Sequence, residues 1–314
     1  MNTIIMKRFF LIAIATLLAA ISVSAQDMAT ATETYNNGAM ALQMGDNAGA
    51  LTAFRQALSI AEACGEEGAD VVNNCKDIIP KLVLAIGKEY AQNKDYDKAI
   101  PQLKEAIEVA GEYGNEDIAN DAAALIPQLL MQKANGLLRD KNFAEAVPAY
   151  KDVIESDPEN GRAYISLGQA LTQTGAIAEA EETFLKAAEL GQEKDAFKQL
   201  SNIYVKIAAA ELKAKKYQGA IDAAVKSNGY LENATAYKVA GTAASQLKNN
   251  ADAINYLEKY LEMSPNAKDA NQMCYTIAAL SQQLGDKEKA KAYYQKIVAD
   301  PKFGETAKQQ LQTL

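Results

Sequence analysis

The sequence predicts an all-α protein built from about seven consecutive helical hairpins. The main observation is a pattern that occurs seven times: a small residue, a larger residue four positions later, and a further apolar residue three positions after that. The composition agrees, because 49% of the residues are hydrophobic, Ala and Leu are frequent, and Trp is absent. Self-similarity of this kind indicates a solenoid of stacked repeats.

The second helix of each hairpin is marked by its small residue, which we use as the anchor of the repeat. The clearest copies are Ala50-Phe54-Ala57 and Ala180-Phe184-Ala187. The successive anchors are separated by 49, 47, 34, 40, 33 and 37 residues, and they are Ala50, Ala99, Ala146, Ala180, Ala220, Ala253 and Ala290. The fifth copy is weak, since Ala224 and Ser227 occupy positions where larger residues are expected.

The first helix of each hairpin is visible in the segment AYISLGQALTQTG, where Tyr164, Leu167, Gly168 and Leu171 recur at helical spacing. Gly87 and Gly241 occupy the position of Gly168, at which two helices are expected to approach closely. Turn-forming pairs separate the two helices of a hairpin, as in Gly45-Asp46, Lys94-Asp95, Lys141-Asn142, Asn249-Asn250 and Gly285-Asp286.

The two longest intervals resemble each other and suggest an extension between hairpins. Both contain a glycine, Gly65 or Gly114, and both end in an Ile-Pro pair. Because a missing N–H is harmless in the first turn of a helix, we expect Pro80 and Pro127 near the start of the following helix.

These residues resemble the tetratricopeptide repeat family over residues 31–303. The family pattern has an aromatic residue, Leu-Gly and a second aromatic residue on the first helix, then Ala, Phe, Ala and Pro on the second. The fourth repeat fits well, and Pro158 and Pro265 match the terminal proline. The resemblance implies a right-handed superhelical solenoid: repeats 1–3 over residues 26–160, repeats 4–7 over residues 161–303, and a capping helix over residues 304–314.

The N-terminal segment has the features of a secretory signal peptide over residues 1–25. Lys7 and Arg8 precede a 15-residue, largely apolar run from Phe9 to Val23, and Val23-Ser24-Ala25 is a small-residue cleavage site. The run is short for a membrane span, although an uncleaved anchor is the alternative. Since the first mature residue is Gln26 rather than Cys, we expect a soluble periplasmic protein that is not a lipoprotein and does not stay inserted in the membrane.

The composition excludes several classes of function. Histidine is absent, which removes His-dependent nucleophile systems and imidazole zinc sites, and no phosphate loop or calcium loop occurs. We therefore expect no enzymatic activity, no cofactor and no metal. Loss of Lys7 and Arg8 changes the net charge from −8 to −10, which argues against nucleic acid and anionic membrane surfaces as partners.

Cys64 and Cys75 allow two interpretations. They are either two small buried residues or a disulfide that fastens the first extension. A bridge across this interval would stabilise the fold by roughly 2–3 kcal/mol on the chain-entropy model. Cys274 is expected in the core.

The resemblance also implies a concave groove formed by the first helices, at five positions in each repeat. Carried over to this sequence, 35 positions include six basic residues and no acidic residue. The predicted peptide-binding residues are Lys81, Lys88, Gln92, Asn135, Arg139, Arg162, Gln169, Gln173, Lys213 and Lys238. Asn135 and Arg162 match a carboxylate clamp found in some members, whereas Leu84 and Ser166 depart from it.

The predicted function is a non-catalytic interaction scaffold of the bacterial cell envelope. Its groove would take a peptide or protein segment, with an acidic stretch or a free carboxylate as the favoured chemistry; the absence of acids at groove positions is alternatively a habit of the family. A glycan or cell-wall-associated binding component is the second hypothesis, although only Tyr35 and Tyr275 supply aromatic rings at groove positions. The sequence specifies neither the partner nor an oligomeric state.

Overall fold

The computed structural model describes residues 25–314, and within this range the regular structure is entirely helical. The apolar run predicted as a signal peptide lies outside the described residues. Fifteen α-helices follow one another along the described chain. They form the seven predicted hairpins, α1–α2 through α13–α14, and a final helix α15; the first helix of each hairpin is an A helix and the second a B helix.

The chain divides into two compact units, which we describe separately. Unit 1 extends to Leu129 and unit 2 runs from Leu130 to Leu314, so the division falls within α5. The boundary expected from repeat spacing, at residues 160 and 161, therefore lies inside unit 2. Helices of the first part are α1 (Ala25–Gln43), α2 (Asn47–Ala63), α3 (Ala69–Gln92), α4 (Tyr96–Glu112) and α5 (Glu116–Arg139), with a 3₁₀ turn at Gly65–Gly68.

Unit 2 continues with nearly regular hairpins. Its helices after α5 are α6 (Phe143–Ser156), α7 (Gly161–Thr174), α8 (Ile177–Ala187), α9 (Glu193–Lys213), α10 (Tyr217–Tyr230), α11 (Ala234–Gln246), α12 (Asn250–Met263), α13 (Ala270–Gln283), α14 (Lys287–Lys296) and α15 (Gly304–Thr313). An irregular, kinked turn, Ala188–Gln192, joins α8 to α9. In this unit α9 contacts both α7 and α11, so these three A helices lie side by side.

The predicted repeat register is confirmed by burial. All seven anchor alanines are completely buried. The residue four positions after the anchor fills the core in each hairpin, as Phe54, Leu103, Tyr150, Phe184, Ala224, Leu257 and Tyr294. The expected close approaches are also present, because a Cβ atom at Gly168 would lie 2.7 Å from the Phe184 ring, and one at Gly241 would lie 2.7 Å from Leu257.

The turns between A and B helices share one backbone device. Each contains a residue with positive φ, a conformation that glycine adopts without strain. Three of the turns use Gly45, Gly175 and Gly285, and the other four use Lys94, Lys141, Lys215 and Lys248. Some B helices then begin with a capping carboxylate; for example, Asp46 accepts a hydrogen bond from the Gly49 N–H at 2.8 Å.

The expectation for the two extensions was wrong in one respect. They are helical, but they continue directly into the following A helix, so α3 and α5 are each 24 residues long. Pro80 and Pro127 consequently lie in the middle of a helix rather than near its start. The spacing indicated additional residues at these junctions but not that they would join the next helix without a break.

The C-terminal cap is formed as expected. Ala307 of α15 is fully buried, and Leu311 and Leu314 pack against the same cluster, which includes Cys274, Ala290 and Tyr294. The helix thus covers the apolar side of the last hairpin, which would otherwise face water.

Candidate functional site

The residues predicted to line a groove all lie on A helices. Unit 1 contains Lys81, Lys88 and Gln92, at helical spacing on α3. Unit 2 contains the others: Asn135 and Arg139 on α5, Arg162, Gln169 and Gln173 on α7, Lys213 on α9, and Lys238 on α11. Except for the half-buried Gln169 and Lys238, these residues are exposed to solvent.

The two lysines of unit 1 have aspartate partners. The Lys81 ammonium lies 2.7 Å from Asp77, one turn earlier on α3, and the Lys88 ammonium lies 3.9 Å from Asp121 on α5. Lys81 also borders an open cavity of about 440 Å³, together with residues 114–118. Since both ion pairs are exposed they contribute little stability, but they offset the positive field that the sequence predicted here.

Lys238 of α11 takes part in a network within the protein. Its ammonium lies 3.0 Å from Asp269 Oδ2, in the connection between α12 and α13. The Tyr260 hydroxyl donates to Asp269 Oδ1 at 2.5 Å, and the Lys238 ammonium lies 5.5 Å from the centre of the Tyr260 ring. Burial and the bond to Asp269 raise the pKa of Tyr260 to about 12. Lys238 therefore joins two hairpins rather than standing free for a ligand.

The polar residues of α5 differ in how far they are engaged. Within the described residues the one ion pair of Arg139 is with its neighbour Asp140, at 3.4 Å, and both side chains are largely exposed. The Asn135 side-chain oxygen accepts a hydrogen bond from the hydroxyl of the fully buried Tyr150, at 2.7 Å. This bond orients the amide of Asn135 and leaves its NH₂ group as a donor. Burial raises the pKa of Tyr150, so the phenol stays protonated.

The least engaged polar groups of unit 2 lie on α7 and α9. Arg162, Gln169 and Gln173 form a row on α7 because they are spaced by seven and four residues. No side-chain hydrogen bond or ion pair joins these three to any other residue in the described part of the chain. The same holds for Lys213 on the neighbouring α9. These four side chains remain available to a ligand.

On the B helices, by contrast, charged residues join neighbouring hairpins. Lys151 of α6 lies 2.8 Å from Glu179 of α8, Lys226 of α10 lies 2.7 Å from Glu181 of α8, and Lys289 of α14 lies 3.1 Å from Glu258 of α12. In unit 1, Arg55 of α2 pairs with Glu105 of α4. The charges on this side serve the stacking of repeats.

The two aromatic residues at groove positions are packed against the protein itself. Tyr35 meets Phe54 edge-on, with 5.1 Å between ring centres. Tyr275 stacks on Phe303 at 5.2 Å and meets Tyr294 at 6.1 Å. Both rings are thus engaged in packing within the protein, which disfavours the glycan hypothesis.

Of the two interpretations left open for Cys64 and Cys75, the structure has the two residues as free, buried thiols. The Cys64 thiol donates to the carbonyl oxygen of Ile60 at 3.3 Å. Burial raises the pKa of Cys75 to about 11, so little thiolate is present at neutral pH. The two residues act as small core side chains, which is the other interpretation that the sequence allowed. Cys274 is buried as expected.

Two structural features are absent from residues 25–314. No group of His, Cys, Asp or Glu side chains there is arranged to hold a metal ion. None of the helices in that range combines the length and the apolar character needed to span a bilayer.

Sequence reasoning missed the acids that neutralise the predicted groove. Asp77 could have been found, because it lies four residues before Lys81 on one helix. Asp121 and Asp269 are distant in sequence from Lys88 and Lys238, and only the packing of different helices brings each pair together.

Comparison with known proteins agrees with this architecture. A tetratricopeptide repeat model matches residues 131–195 and 205–268, and a second model of the same repeat matches residues 80–113 and 272–299. The chain belongs to the tetratricopeptide repeat family. The matched segments contain α4 and most of the helices from α6 to α14.

Several solved tetratricopeptide repeat structures are similar in part. The MamA protein has 21% identity and a TM-score of 0.36, covering 58% of this chain and 96% of its own. MamA from Desulfovibrio magneticus RS-1, from residue 41 to its end, has 18% identity and a TM-score of 0.33, covering 55% and 93%. YrrB, described as a TPR protein with an unusual peptide-binding site, has 18% identity and a TM-score of 0.33, covering 58% and 91%. No curated protein matches the sequence.

Proposed function

We propose that this tetratricopeptide repeat protein is a non-catalytic interaction scaffold of the bacterial cell envelope. It binds an extended segment of a partner protein along α7 and α9 of unit 2. The observation that carries the proposal is the row Arg162, Gln169 and Gln173, whose side chains make no hydrogen bond or ion pair within the described chain, whereas the other predicted groove residues Lys81, Lys88 and Lys238 are paired with aspartates.

The chemistry of the row suits an extended peptide. Each glutamine amide offers both a donor and an acceptor, which are the two groups that a peptide backbone presents. From Arg162 to Gln173 the row is about 16 Å long at the rise of an α-helix, the length of about five extended residues. Arg162 and Lys213 add positive charge at positions from which an acidic side chain or a terminal carboxylate can be bound.

Capture of partners from envelope extracts tests this surface when wild type and variants are compared. Arg162→Glu and the double variant Gln169→Ala/Gln173→Ala should each lose the partners that the wild type retains. A charge-assisted bond contributes about 1.5–3 kcal/mol, so Arg162→Glu should weaken affinity at least tenfold. Because these positions are polar and mostly exposed, circular dichroism should show unchanged helical content.

The matched control is Lys104→Glu on α4, which has the same sign of charge change at an exposed lysine without an ion pair in the described residues. It should capture the same partners as wild type. If the Arg162 and glutamine variants bind like the control at low ionic strength, the partner does not use this row, and the proposed surface is wrong.

Export to the periplasm is the second part of the proposal, and it is supported by the charged, apolar and small-residue segments at the N-terminus. N-terminal sequencing of the protein from a periplasmic fraction should begin at Gln26. An unprocessed chain that sediments with the inner membrane would contradict export as a soluble protein. This outcome is independent of which surface binds the partner.

A further inference from the structure

The core of unit 2 is uneven along the array. The first part of the unit has one large cluster that contains Tyr150, Leu167, Phe184 and Leu200. The next cluster joins the α9–α10 hairpin to α11, and its buried residues are alanines apart from Val239, with larger residues such as Tyr204 and Ile221 only partly buried around them. On its α8 side the hairpin packs through Leu200 and Ile203 of α9, which belong to the first cluster. Since apolar burial scales with side-chain area, the hairpin gains less from its contact with α11.

Polar groups take the place of the missing apolar bulk. The buried hydroxyls of Ser201 on α9 and Ser227 on α10 lie 3.0 Å apart. Ser227 also donates to the Ser201 carbonyl oxygen at 3.0 Å, and Ser201 donates to the carbonyl oxygen of Leu231 at 3.0 Å. These bonds join α9 to α10 but not to α8.

The connection from α8 to α9 departs from helical geometry. Leu190 has φ −90° and ψ 24°, and Gly191 has φ 81°. The backbone of this turn is therefore a natural place for a change in angle between hairpins, because Leu190 and Gly191 lie outside the helical range of φ and ψ.

We call the boundary between α8 and the α9–α10 hairpin the seam. A cluster of side chains around Glu181 of α8 spans the seam, and we call this cluster the Glu181 latch. The Tyr204 hydroxyl of α9 donates to Glu181 Oε2 at 2.6 Å, and the Tyr230 hydroxyl of α10 donates to Oε1. The Lys226 ammonium of α10 lies 2.7 Å from the same carboxylate and 4.4 Å from the centre of the Tyr204 ring. The Glu181 side chain is only 18% exposed.

We infer that the Glu181 latch holds the seam between α8 and the α9–α10 hairpin closed, and that it thereby fixes the angle between α8 and this hairpin. The irregular backbone of Leu190 and Gly191 allows this angle to change, and one carboxylate accepts every hydrogen bond of the latch. Because α9 lies between α7 and α11, opening here changes the spacing of the A helices that a partner must span. The latch is thus a conformational device that controls the shape of the binding face.

Hydrogen exchange of the full mature chain, without any partner, tests the latch. Glu181→Gln removes the charge but keeps the size of the side chain, and it should raise exchange rates across residues 193–231 about tenfold. Exchange within residues 146–171 should stay unchanged. Tyr230→Phe removes a single bond and should give a smaller increase confined to the same segment.

Glu182→Gln is the matched control, because Glu182 is the exposed neighbour on the same helix and makes no ion pair with other described residues. It should exchange like the wild type. The inference is overturned if Glu181→Gln and Glu182→Gln give the same exchange pattern, or if the increase extends evenly over unit 2. Neither outcome depends on whether the α7 row binds a peptide.

Discussion

The side-chain amide of Asn115 donates a hydrogen bond to the carbonyl oxygen of Lys76, at 3.2 Å. In a regular helix this carbonyl would accept from the N–H of residue 80, but Pro80 has no N–H to donate. Asn115, which lies just before α5, replaces the missing bond from a different part of unit 1. This relationship explains how a buried proline is accommodated in the middle of α3.

Asn115→Ala should destabilise unit 1 by about 1–2 kcal/mol, because it leaves the Lys76 carbonyl without a partner. Hydrogen exchange of residues 69–92 should report the loss. In a Pro80→Ala background the backbone N–H returns, so the same Asn115 substitution should cost less; this coupling distinguishes the specific bond from general damage. Equal costs in both backgrounds would show that Asn115 does not act on the carbonyl freed by Pro80.

The lysines with positive φ predict a gain in stability. Lys248 has φ 63°, a left-handed conformation that costs an L-residue about 1–2 kcal/mol. Lys248→Gly should raise the melting temperature, with a net stabilisation of about 0.5–1 kcal/mol after the greater flexibility of glycine in the unfolded chain is included. The reciprocal change Gly285→Lys should lower the melting temperature, because Gly285 has φ 79°. The space around its Cβ position is open, so the effect reports backbone strain rather than a steric clash. Shifts of the same sign in both variants would contradict the strain argument.

The close approach at Gly168 predicts that alanine is not tolerated there. A Cβ atom would lie 2.7 Å from the buried Phe184 ring, and overpacking of this kind costs about 1–3 kcal/mol. Gly136→Ala is the matched control, because the side-chain atom nearest to a Cβ at this position is Arg139 Nη2, at 4.0 Å. It should be neutral or slightly stabilising, as expected for alanine within a helix. Chemical denaturation of both variants measures the difference, and equal midpoints would refute the contact between α7 and α8.

The Glu181 latch predicts a specific dependence on pH. Burial raises the pKa of Glu181, but hydrogen bonds from Lys226, Tyr204 and Tyr230 outweigh this effect and lower it below the ordinary value of 4.5. Because the folded pKa lies below the unfolded one, the latch stabilises the fold above about pH 4.5 and is lost as the pH falls through the folded pKa. The pKa of Tyr230 is raised to about 12, so its bond persists well above neutral pH.

Melting temperatures of wild type and Glu181→Gln should therefore differ most between about pH 5 and 9 and converge toward pH 3. Other carboxylates with lowered pKa values, such as Asp269, titrate in both proteins and cancel in the comparison. A difference that stays constant down to pH 3 would mean that ionisation of Glu181 is not what stabilises the seam.

The sequence by itself determined the repeat register. Ala180, Phe184 and Gly168 could be placed correctly because helical periodicity is local, and a small residue opposite a large one has the same meaning in every hairpin. The positions of the turns could be predicted from the same local periodicity. The positive φ values of the lysines in these turns could not, since Lys has no strong preference for that conformation.

Tertiary structure alone decided how the charged residues are used. Lys88 and Lys238 occupy the positions predicted for ligand binding, yet Asp121 and Asp269 reach them from other helices or connections. Tertiary structure also decided that Pro80 lies within a helix. Asn115, 39 residues after Lys76 in the sequence, donates the hydrogen bond to the Lys76 carbonyl that Pro80 cannot donate. Periodicity specifies which face of a helix is buried, whereas the partners of a polar side chain depend on how separate helices pack, and one sequence pattern permits many such pairings.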